Sequence, residues 1–179
     1  MSKYKTDQEE FWLSEFGRDY MDRNRGQHLT ARKTALFARA LRGAPGIRTI
    51  CEFGCNIGLN RVALQSLDSF ELTGCEINPE AAAEASKLDI ARINVGSVID
   101  DLSYLGKFDL TFTMGVLIHI NPDELRAVYE NLVSLSTRYV LIAEYYNPSP
   151  VSVTYRGNEN RLFKRDFAGD LIDCFRLEL

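Results

Sequence analysis

A glycine-rich turn between a predicted strand and a predicted helix most constrains how this chain folds. Residues 49–53 form an apolar run typical of a buried strand, and residues 59–67 have the pattern of a helix. Between them lie Gly54 and Gly58, whose freedom at positive φ permits a tight turn and a close approach of the backbone to a ligand. Free N–H groups at the start of the helix would face that ligand. The turn therefore predicts a binding site at the end of the first strand.

An acidic residue, Glu76, closes the next predicted strand at residues 70–76. Its carboxylate can accept two hydrogen bonds from the vicinal hydroxyls of a ribose, which predicts an adenosine-containing cofactor. A dinucleotide site needs G-x-G-x-x-G, but Asn56 stands at the middle position and Arg61 supplies no later glycine. Because a pyrophosphate would be crowded here, the pattern favours S-adenosylmethionine over a dinucleotide.

Length and charge narrow the class of protein. The chain has 179 residues, of which 45% are hydrophobic and 26% are charged, as expected for one soluble domain. Its net charge of -4 argues against binding a nucleic-acid backbone and favours a small-molecule acceptor. Residues 1–10 lack the features of a signal peptide, and no run reaches membrane-spanning length. These features predict a cytoplasmic protein without membrane attachment.

The cysteines do not form a metal-binding pattern, because no C-x-x-C pair occurs and the two histidines lie far apart. We therefore predict no metal site. Cys51, Cys55 and Cys75 fall on or beside predicted strands and are interpreted as reduced core cysteines. Cys55 is either a thiol whose pKa the nearby helix start lowers or a small filler of the turn, and we favour the filler.

Strand and helix patterns alternate along most of the chain. Two amphipathic helices are predicted at residues 6–23 and 29–42, and the aromatic face of the first, including Trp12, is interpreted as core. Further runs follow at residues 49–53, 59–67, 70–76, 79–87, 90–95, 108–114, 122–136 and 139–144. This alternation predicts an α/β fold with a Rossmann-like, doubly wound, mostly parallel sheet. The single domain, 1–179, divides into a helical cap (1–43), a cofactor-binding core (47–144) and a substrate lid with a last helix and strand (145–179).

The lid is predicted from residues 145–161, which are polar and aromatic without a hydrophobic period. Its tyrosines, Tyr145, Tyr146 and Tyr155, would shape an acceptor pocket. The basic residues of this region would bind a carboxylate or phosphate on the acceptor, and they are Arg156, Arg161, Lys164 and Arg165. The alternative is an ordinary solvated loop.

Several motifs together resemble the class I S-adenosylmethionine-dependent methyltransferases over essentially the whole chain. They are the turn at residues 52–58, Glu76, Gly96-Ser97 after the third strand, and residues 108–110 opening the fourth. More narrowly, the chain resembles the methylases associated with pseudaminic acid biosynthesis in Phe16-Gly17, Tyr20, Arg23-Asn24 and residues 52–60, 115–122 and 163–167. This resemblance implies methyl transfer to a sugar or nonulosonic-acid-type intermediate of a surface glycan.

The resemblance also implies roles for individual residues. The turn around the methionine end of the cofactor would comprise Glu52, Gly54, Cys55, Asn56 and Gly58. Glu76 would hold the ribose, and the adenine would lie against Ile77 and Val98, with Gly96 and Ser97 beside it. Relatives often have an aspartate at the position of Ser97, so Asp100 or Asp101 would substitute for it. Met114 and Gly115 would line the reacting end, while Tyr20, Arg23 and Asn24 would close over the methionine carboxylate.

His119 is the candidate general base, because an imidazole titrates near neutrality and this residue follows the fourth strand. Alternatively, His119 only hydrogen-bonds backbone at a strand end.

Relatives end in an antiparallel hairpin, whereas residues 174–179 resemble only the first strand of that hairpin. We therefore predict either a truncated hairpin or a protomer that a partner completes, for example in a homodimer. An RNA methyltransferase and a non-catalytic domain remain alternative functions.

Overall fold

A parallel sheet of five strands forms the centre of the computed structural model, which describes residues 4–179. The strands are β1 (Thr49–Phe53), β2 (Glu71–Glu76), β3 (Arg92–Val95), β4 (Phe108–Met114) and β5 (Ser136–Ala143). Their spatial order, β3-β2-β1-β4-β5, reverses direction at β1. Ligands bind open α/β sheets beyond the carboxyl ends of the strands at such a reversal. The strand order and the parallel pairing confirm the predicted Rossmann-like, doubly wound sheet. Residues 1–3 of the predicted helical cap lie outside the described residues.

Helices cover both faces of the sheet. They are α1 (Asp7–Leu13), α2 (Glu15–Arg23), α3 (Gln27–Leu41), α4 (Leu59–Gln65), α5 (Pro79–Ser86), α6 (Leu125–Leu135) and α7 (Phe167–Phe175). Short 3-10 turns span Ser103–Leu105, Leu117–His119 and Pro122–Glu124. Among the described residues, no helix combines the length and the hydrophobicity that crossing a bilayer requires.

The alternation of side chains along β1 builds two cores. Phe53 packs on one face in a cluster with Leu132 of α6 and Leu171 of α7. Ile50 packs on the other face with Phe37 of α3 and Leu64 of α4. Successive strand residues point to opposite faces, and each fully buried side chain of this size stabilises the fold by about 1.5–3 kcal/mol. The two cores hold the carboxyl ends of the strands in place.

The N-terminal segment contains three helices and not the two that were predicted. Ser14 is extended and separates α1 from α2; its Oγ accepts from the Phe16 N–H at 3.2 Å and donates to the Phe11 carbonyl at 2.7 Å. The resulting corner is tight, because a Cβ at Gly17 would stand 1.9 Å from the Trp12 carbonyl oxygen. The helical period of residues 6–23 concealed this break, since serine is compatible with either a helix interior or a cap.

The segment predicted as an irregular lid contains an antiparallel hairpin, formed by β6 (Val151–Tyr155) and β7 (Asn158–Lys164). Arg156 and Gly157 make its turn, with φ of 50° and 84°. Two successive positive φ values are typical of the type I′ turns that join two-residue hairpins. Val151, Val153 and Tyr155 alternate with polar residues, so the β pattern was present in the sequence.

The strand predicted at residues 174–179 is wrong, because helix α7 extends through Cys174 to Phe175 and no strand follows it. Phe167, Leu171 and Phe175 recur at helical spacing and pack against the core. Their packing explains why the helix extends to Phe175. Within residues 4–179, β5 pairs with β4 alone, and completion of this edge by a partner stays a prediction.

Candidate functional site

A cavity lies at the carboxyl end of the sheet, between the loops that follow β1 to β4 and the helices α1 to α3. Most of the residues predicted to bind the cofactor line it, together with the predicted base. They are Tyr20, Asn24, Gly54, Cys55, Asn56, Glu76, Ile77, Ser97, Val98, Met114, Gly115 and His119. The structure therefore brings these residues together, as the shared edge of a parallel sheet predicts.

Four predicted cofactor residues lie outside the wall of this cavity. Glu52 is buried beneath it, and Gly58 begins α4, where a Cβ would stand 2.8 Å from Leu88 Cδ1. Gly96 also lies off the wall. The Arg23 guanidinium carbon stands 5.0 Å from the ring centre of Phe16 on α2. These four residues therefore do not line the cavity, and their predicted contacts with the cofactor stay predictions.

The turn after β1 has a left-handed backbone at three positions. The φ angles are 73° at Gly54, 45° at Asn56 and 90° at Gly58. A Cβ at Gly54 would stand 2.5 Å from Val116 Cγ2, so a larger residue would meet the loop after β4. The N–H groups of Gly54 and Cys55 both donate to the Cys75 carbonyl, at 2.8 and 3.1 Å. These two hydrogen bonds hold the turn against β2, and Gly54, Cys55 and Asn56 of the turn line the cavity.

Glu76 is the buried acid of the site. Its Oε2 accepts the Asn56 N–H at 2.7 Å, and its Oε1 accepts the Asn78 N–H at 2.9 Å. Burial raises the pKa of Glu76, and these two bonds oppose that rise. Each carboxylate oxygen has a further lone pair, so both can still accept a hydroxyl hydrogen. The arrangement suits a pair of vicinal hydroxyls.

A polar network continues from the cavity into the core. Lys33 lines the cavity and donates to Asn60 Oδ1 at 2.6 Å, and the Asn60 amide donates to Glu52 Oε1 at 2.6 Å. Arg61, which is 1% exposed, places its Nε 3.9 Å from Glu52 Oε2. Burial raises the pKa of Glu52 to about 7, against the opposing influence of the Arg61 guanidinium, and lowers the pKa of Lys33. Lys33 is thus a cavity-lining ammonium that sequence analysis missed.

Gly74 makes room for this network within β2. A Cβ there would stand 2.1 Å from Arg61 Nη1 and 2.9 Å from Cys55 Sγ. Burial raises the pKa of the Cys55 thiol well above its usual value, so the low-pKa alternative for Cys55 is wrong and the filler interpretation holds. Within residues 4–179, no three His, Cys, Asp or Glu side chains are grouped as metal ligands.

An aromatic cluster lies at one end of the cavity, formed by Trp12, Phe16, Tyr20, His119 and Tyr155. The Trp12 ring centre lies 5.0 Å from that of Tyr20 and 4.7 Å from that of His119. Tyr155 of the hairpin lies 4.9 Å from His119 and 5.7 Å from Phe16. Trp12 lines the cavity, so its interpretation as a core residue is wrong. Its position depends on the corner at Ser14, which the helical period concealed.

His119 ends the 3-10 turn that follows β4, and its Nδ1 lies 2.6 Å from the Arg161 carbonyl oxygen. Because a carbonyl only accepts, Nδ1 carries the proton and Nε2 has the free lone pair. Burial lowers the pKa of His119 to about 4, so the ring is neutral at pH 7 and is a weak base. The backbone hydrogen bond of the alternative interpretation is therefore present, and its partner is Arg161 in strand β7.

The predicted acceptor residues do not line the cavity. Tyr145 and Tyr146 are 60% and 65% exposed, and Lys164 Nζ stands 5.5 Å above the Tyr145 ring. Arg161 Cζ lies 5.2 Å from the ring centre of Phe11, and Arg156 occupies the hairpin turn. Arg165 pairs with Asp170 at 2.8 Å. These side chains lie outside the cavity wall, and their predicted role in binding the acceptor stays a prediction.

Other cavity-lining residues escaped sequence analysis because they arrive from distant segments. Gln8 and Trp12 come from α1, and Lys33 comes from α3. Glu144 does not line the cavity but holds the loop after β4, since its Oε1 accepts the N–H groups of Val116 and Leu117 at 3.0 and 3.1 Å. Its position directly after the fifth strand was the available signal for a functional acid.

Comparison with solved structures supports the same fold. Magnesium protoporphyrin IX methyltransferase (ChlM) from Synechocystis PCC 6803 with bound SAM superposes with a TM-score of 0.63 at 17% identity, covering 91% of this chain and 98% of that one. DesVI from Streptomyces venezuelae gives a TM-score of 0.58 at 18% identity, covering 86% and 67%. A TehB-like SAM-dependent methyltransferase from Corynebacterium glutamicum gives 0.58 at 22% identity, covering 70% of each chain. The fold is thus that of class I methyltransferases.

Sequence comparison identifies no closer relationship. No protein-family model matches the chain, and no curated protein matches it.

Proposed function

We propose that this chain is an S-adenosylmethionine-dependent methyltransferase that acts on a small metabolite. One observation carries the proposal: Glu76 lines the cavity beside the left-handed turn, with a lone pair left on each carboxylate oxygen. Two acceptor atoms in that position suit the hydroxyls of a ribose. Structures of similar fold, including ChlM, are described with bound SAM or SAH, which supports the choice of cofactor.

The residues of the cavity fit such a cofactor. Glu76 would accept hydrogen bonds from the ribose, and the apolar side chains of Ile77 and Val98 would hold the base. Among the described residues that line the cavity, Lys33 is the only lysine or arginine, and it would pair with the methionine carboxylate. We propose Lys33 for this role in place of Arg23, whose guanidinium lies over Phe16.

When bound, S-adenosylmethionine supplies an electrophilic methyl group on a positively charged sulfur. The remaining task of the chain is to align the acceptor and exclude water. Trp12 and Tyr20 supply a hydrophobic wall for this purpose. The Nε2 lone pair of neutral His119 would accept a hydrogen bond from a hydroxyl or amine and so orient it. With a pKa of about 4, His119 serves better as an orienting acceptor than as a strong base.

The acceptor in this proposal is a sugar or nonulosonic-acid-type intermediate of surface glycan biosynthesis, and methyl transfer takes place in the cytoplasm. The resemblance of residues 115–122 to the methylases associated with pseudaminic acid biosynthesis supports this choice. Further support comes from Trp12 and Tyr20, since aromatic rings suit the apolar face of a sugar.

Two measurements test the proposed function. Calorimetry with S-adenosylmethionine, S-adenosylhomocysteine and NAD should show binding of the first two, and binding of NAD alone would reject the proposal. Incubation with methyl-labelled S-adenosylmethionine and a bacterial extract should then place the label in the small-molecule fraction. Label in nuclease-sensitive material would identify an RNA methyltransferase. Cofactor binding without any transfer would identify a non-catalytic domain.

A further inference from the structure

Gln8 has an unsatisfied hydrogen-bond acceptor at the cavity. The side chain lines the cavity and is only 7% exposed. Its Nε2 donates to the Asn160 carbonyl of β7 at 3.0 Å, which fixes the orientation of the amide. Its Oε1 is buried and has no donor among the described residues. A buried carbonyl oxygen without a donor is unfavourable, so a ligand that presents an N–H there would be stabilised.

Helix α1 bridges the two loops between which a base would lie. Just before its start, Lys5 Nζ pairs with Asp100 of the loop after β3 at 2.9 Å. Near its end, the Trp12 carbonyl accepts from Asn78 Nδ2 of the loop after β2 at 3.2 Å. Gln8 lies between these two anchors, on the helix that covers this end of the cavity.

The loop after β3 offers few acceptors of its own. Ser97 Oγ already accepts the Ile99 N–H at 3.2 Å. Asp100 pairs with Lys5, and Asp101 accepts the Ser103 N–H at 2.8 Å; both side chains are exposed, and neither lines the cavity. The substitutes for an aspartate at Ser97 are therefore engaged elsewhere. Among the described side chains that line the cavity, Gln8 Oε1 is the buried oxygen that has no hydrogen-bond donor.

We infer that Gln8 recognises the 6-amino group of the adenine, with Oε1 accepting a hydrogen bond from it, and so selects an adenosyl over an inosyl nucleoside. This inference rests on the proposed function. In an inosyl nucleoside a carbonyl oxygen replaces the amino group. Two acceptors would then face each other at Oε1, which is unfavourable.

The test compares S-adenosylhomocysteine with S-inosylhomocysteine by calorimetry. The wild type should prefer the adenosyl compound by about tenfold or more, the expected effect of one buried hydrogen bond. Gln8→Met should abolish most of this preference, chiefly by weakening the adenosyl compound. Gln65→Met is the matched control, because Gln65 Nε2 likewise donates to a backbone carbonyl, that of Phe70, but outside the cavity. It should retain the wild-type preference.

The ratio of the two affinities separates recognition from folding. If Gln8→Met only loosened α1, both nucleosides would lose affinity equally and the preference would remain, which would overturn the inference. Binding of S-adenosylhomocysteine with no preference in the wild type would also overturn it. If the wild type bound neither nucleoside, the proposed function itself would fail. Thermal unfolding of both variants shows whether either substitution destabilises the fold.

Discussion

Asn56 donates its backbone N–H to Glu76 Oε2 across 2.7 Å, which joins the turn after β1 to the end of β2. Asn56 has a φ of 45°, in the left-handed region that asparagine tolerates better than most residues. Asn78 holds the other carboxylate oxygen from the opposite side. The chain thereby orients the acid before any ligand arrives, which reduces the entropic cost of binding.

Glu76→Gln should weaken S-adenosylhomocysteine binding by about 10- to 100-fold, as expected for losing hydrogen bonds to a charged group. An amide nitrogen would also face one of the two backbone N–H donors. Calorimetry measures the effect, and Glu71→Gln at the exposed start of the same strand is the control. Equal affinities in the wild type and Glu76→Gln would show that the acid does not contact the nucleoside.

Lys33→Met should weaken S-adenosylhomocysteine by about tenfold or more, because a charge-assisted hydrogen bond is lost. 5′-Methylthioadenosine lacks the amino-acid end, so its affinity should not change. Lys87→Met, at the exposed end of α5, should affect neither compound. If Lys33→Met weakened the binding of both compounds equally, the role of Lys33 would be only to hold Asn60 and Glu52 in place.

Glu52 should make stability fall as the pH rises from about 4.5 to about 7, because burial raises its pKa from 4.5 to about 7. In this range the folded chain retains a proton that the unfolded chain releases. The stabilisation is complete below the unfolded pKa and lost as the pH rises through the folded one. Relative to Glu52→Gln, the free energy of unfolding of the wild type should fall by about 3 kcal/mol at most across this pH range.

Urea unfolding of both proteins across this range measures the difference. Glu52→Gln also removes the ion-pair partner of Arg61, which adds a difference in the free energy of unfolding between the two proteins. The change of that difference with pH is what tests the prediction. A constant difference would mean that Glu52 is ionised throughout. Glu71→Gln, at the exposed start of β2, is the control variant.

The His119 imidazole should remain neutral on acidification, because burial lowers its pKa to about 4. Its proton NMR signal should stay fixed from about pH 8 to about pH 5, a range in which an unperturbed histidine titrates. His28→Gln assigns the two histidine signals. Titration of the His119 signal near pH 6.5 would instead restore His119 as a general base.

Local patterns were sufficient to predict the centre of the fold and much of the site. The turn from Gly54 to Gly58 and the acid Glu76 lie within one strand-helix-strand unit, where spacing along the chain determines spacing in the structure. Because parallel strands end at one edge, Ser97, Met114 and Gly115 could also be placed near the cavity. The predicted function and cofactor contacts stay predictions.

Other features had weaker local signals. The alternation of Val151, Val153 and Tyr155 indicated a strand, but the Pro and Ser residues before it suggested an irregular loop. Ser14 suits either a helix interior or a cap, so the break between α1 and α2 was not visible. Arg23 has the charge expected for a carboxylate, yet its guanidinium lies over Phe16. The sequence alone does not decide whether such a segment is a strand or a loop, whether such a serine lies in a helix or caps it, or what such an arginine contacts. Each outcome depends on the groups that folding brings close to the residue.

The sequence by itself determined the alternating elements, the left-handed turn and the acid beside it, since hydrophobic period and glycine act over a few residues. Only the tertiary structure decided that Gln8, Trp12 and Lys33 line the cavity. These side chains reach it because α1 and α3 dock on loops far away in the chain, and docking depends on shape and hydrogen bonds formed after the sheet has assembled.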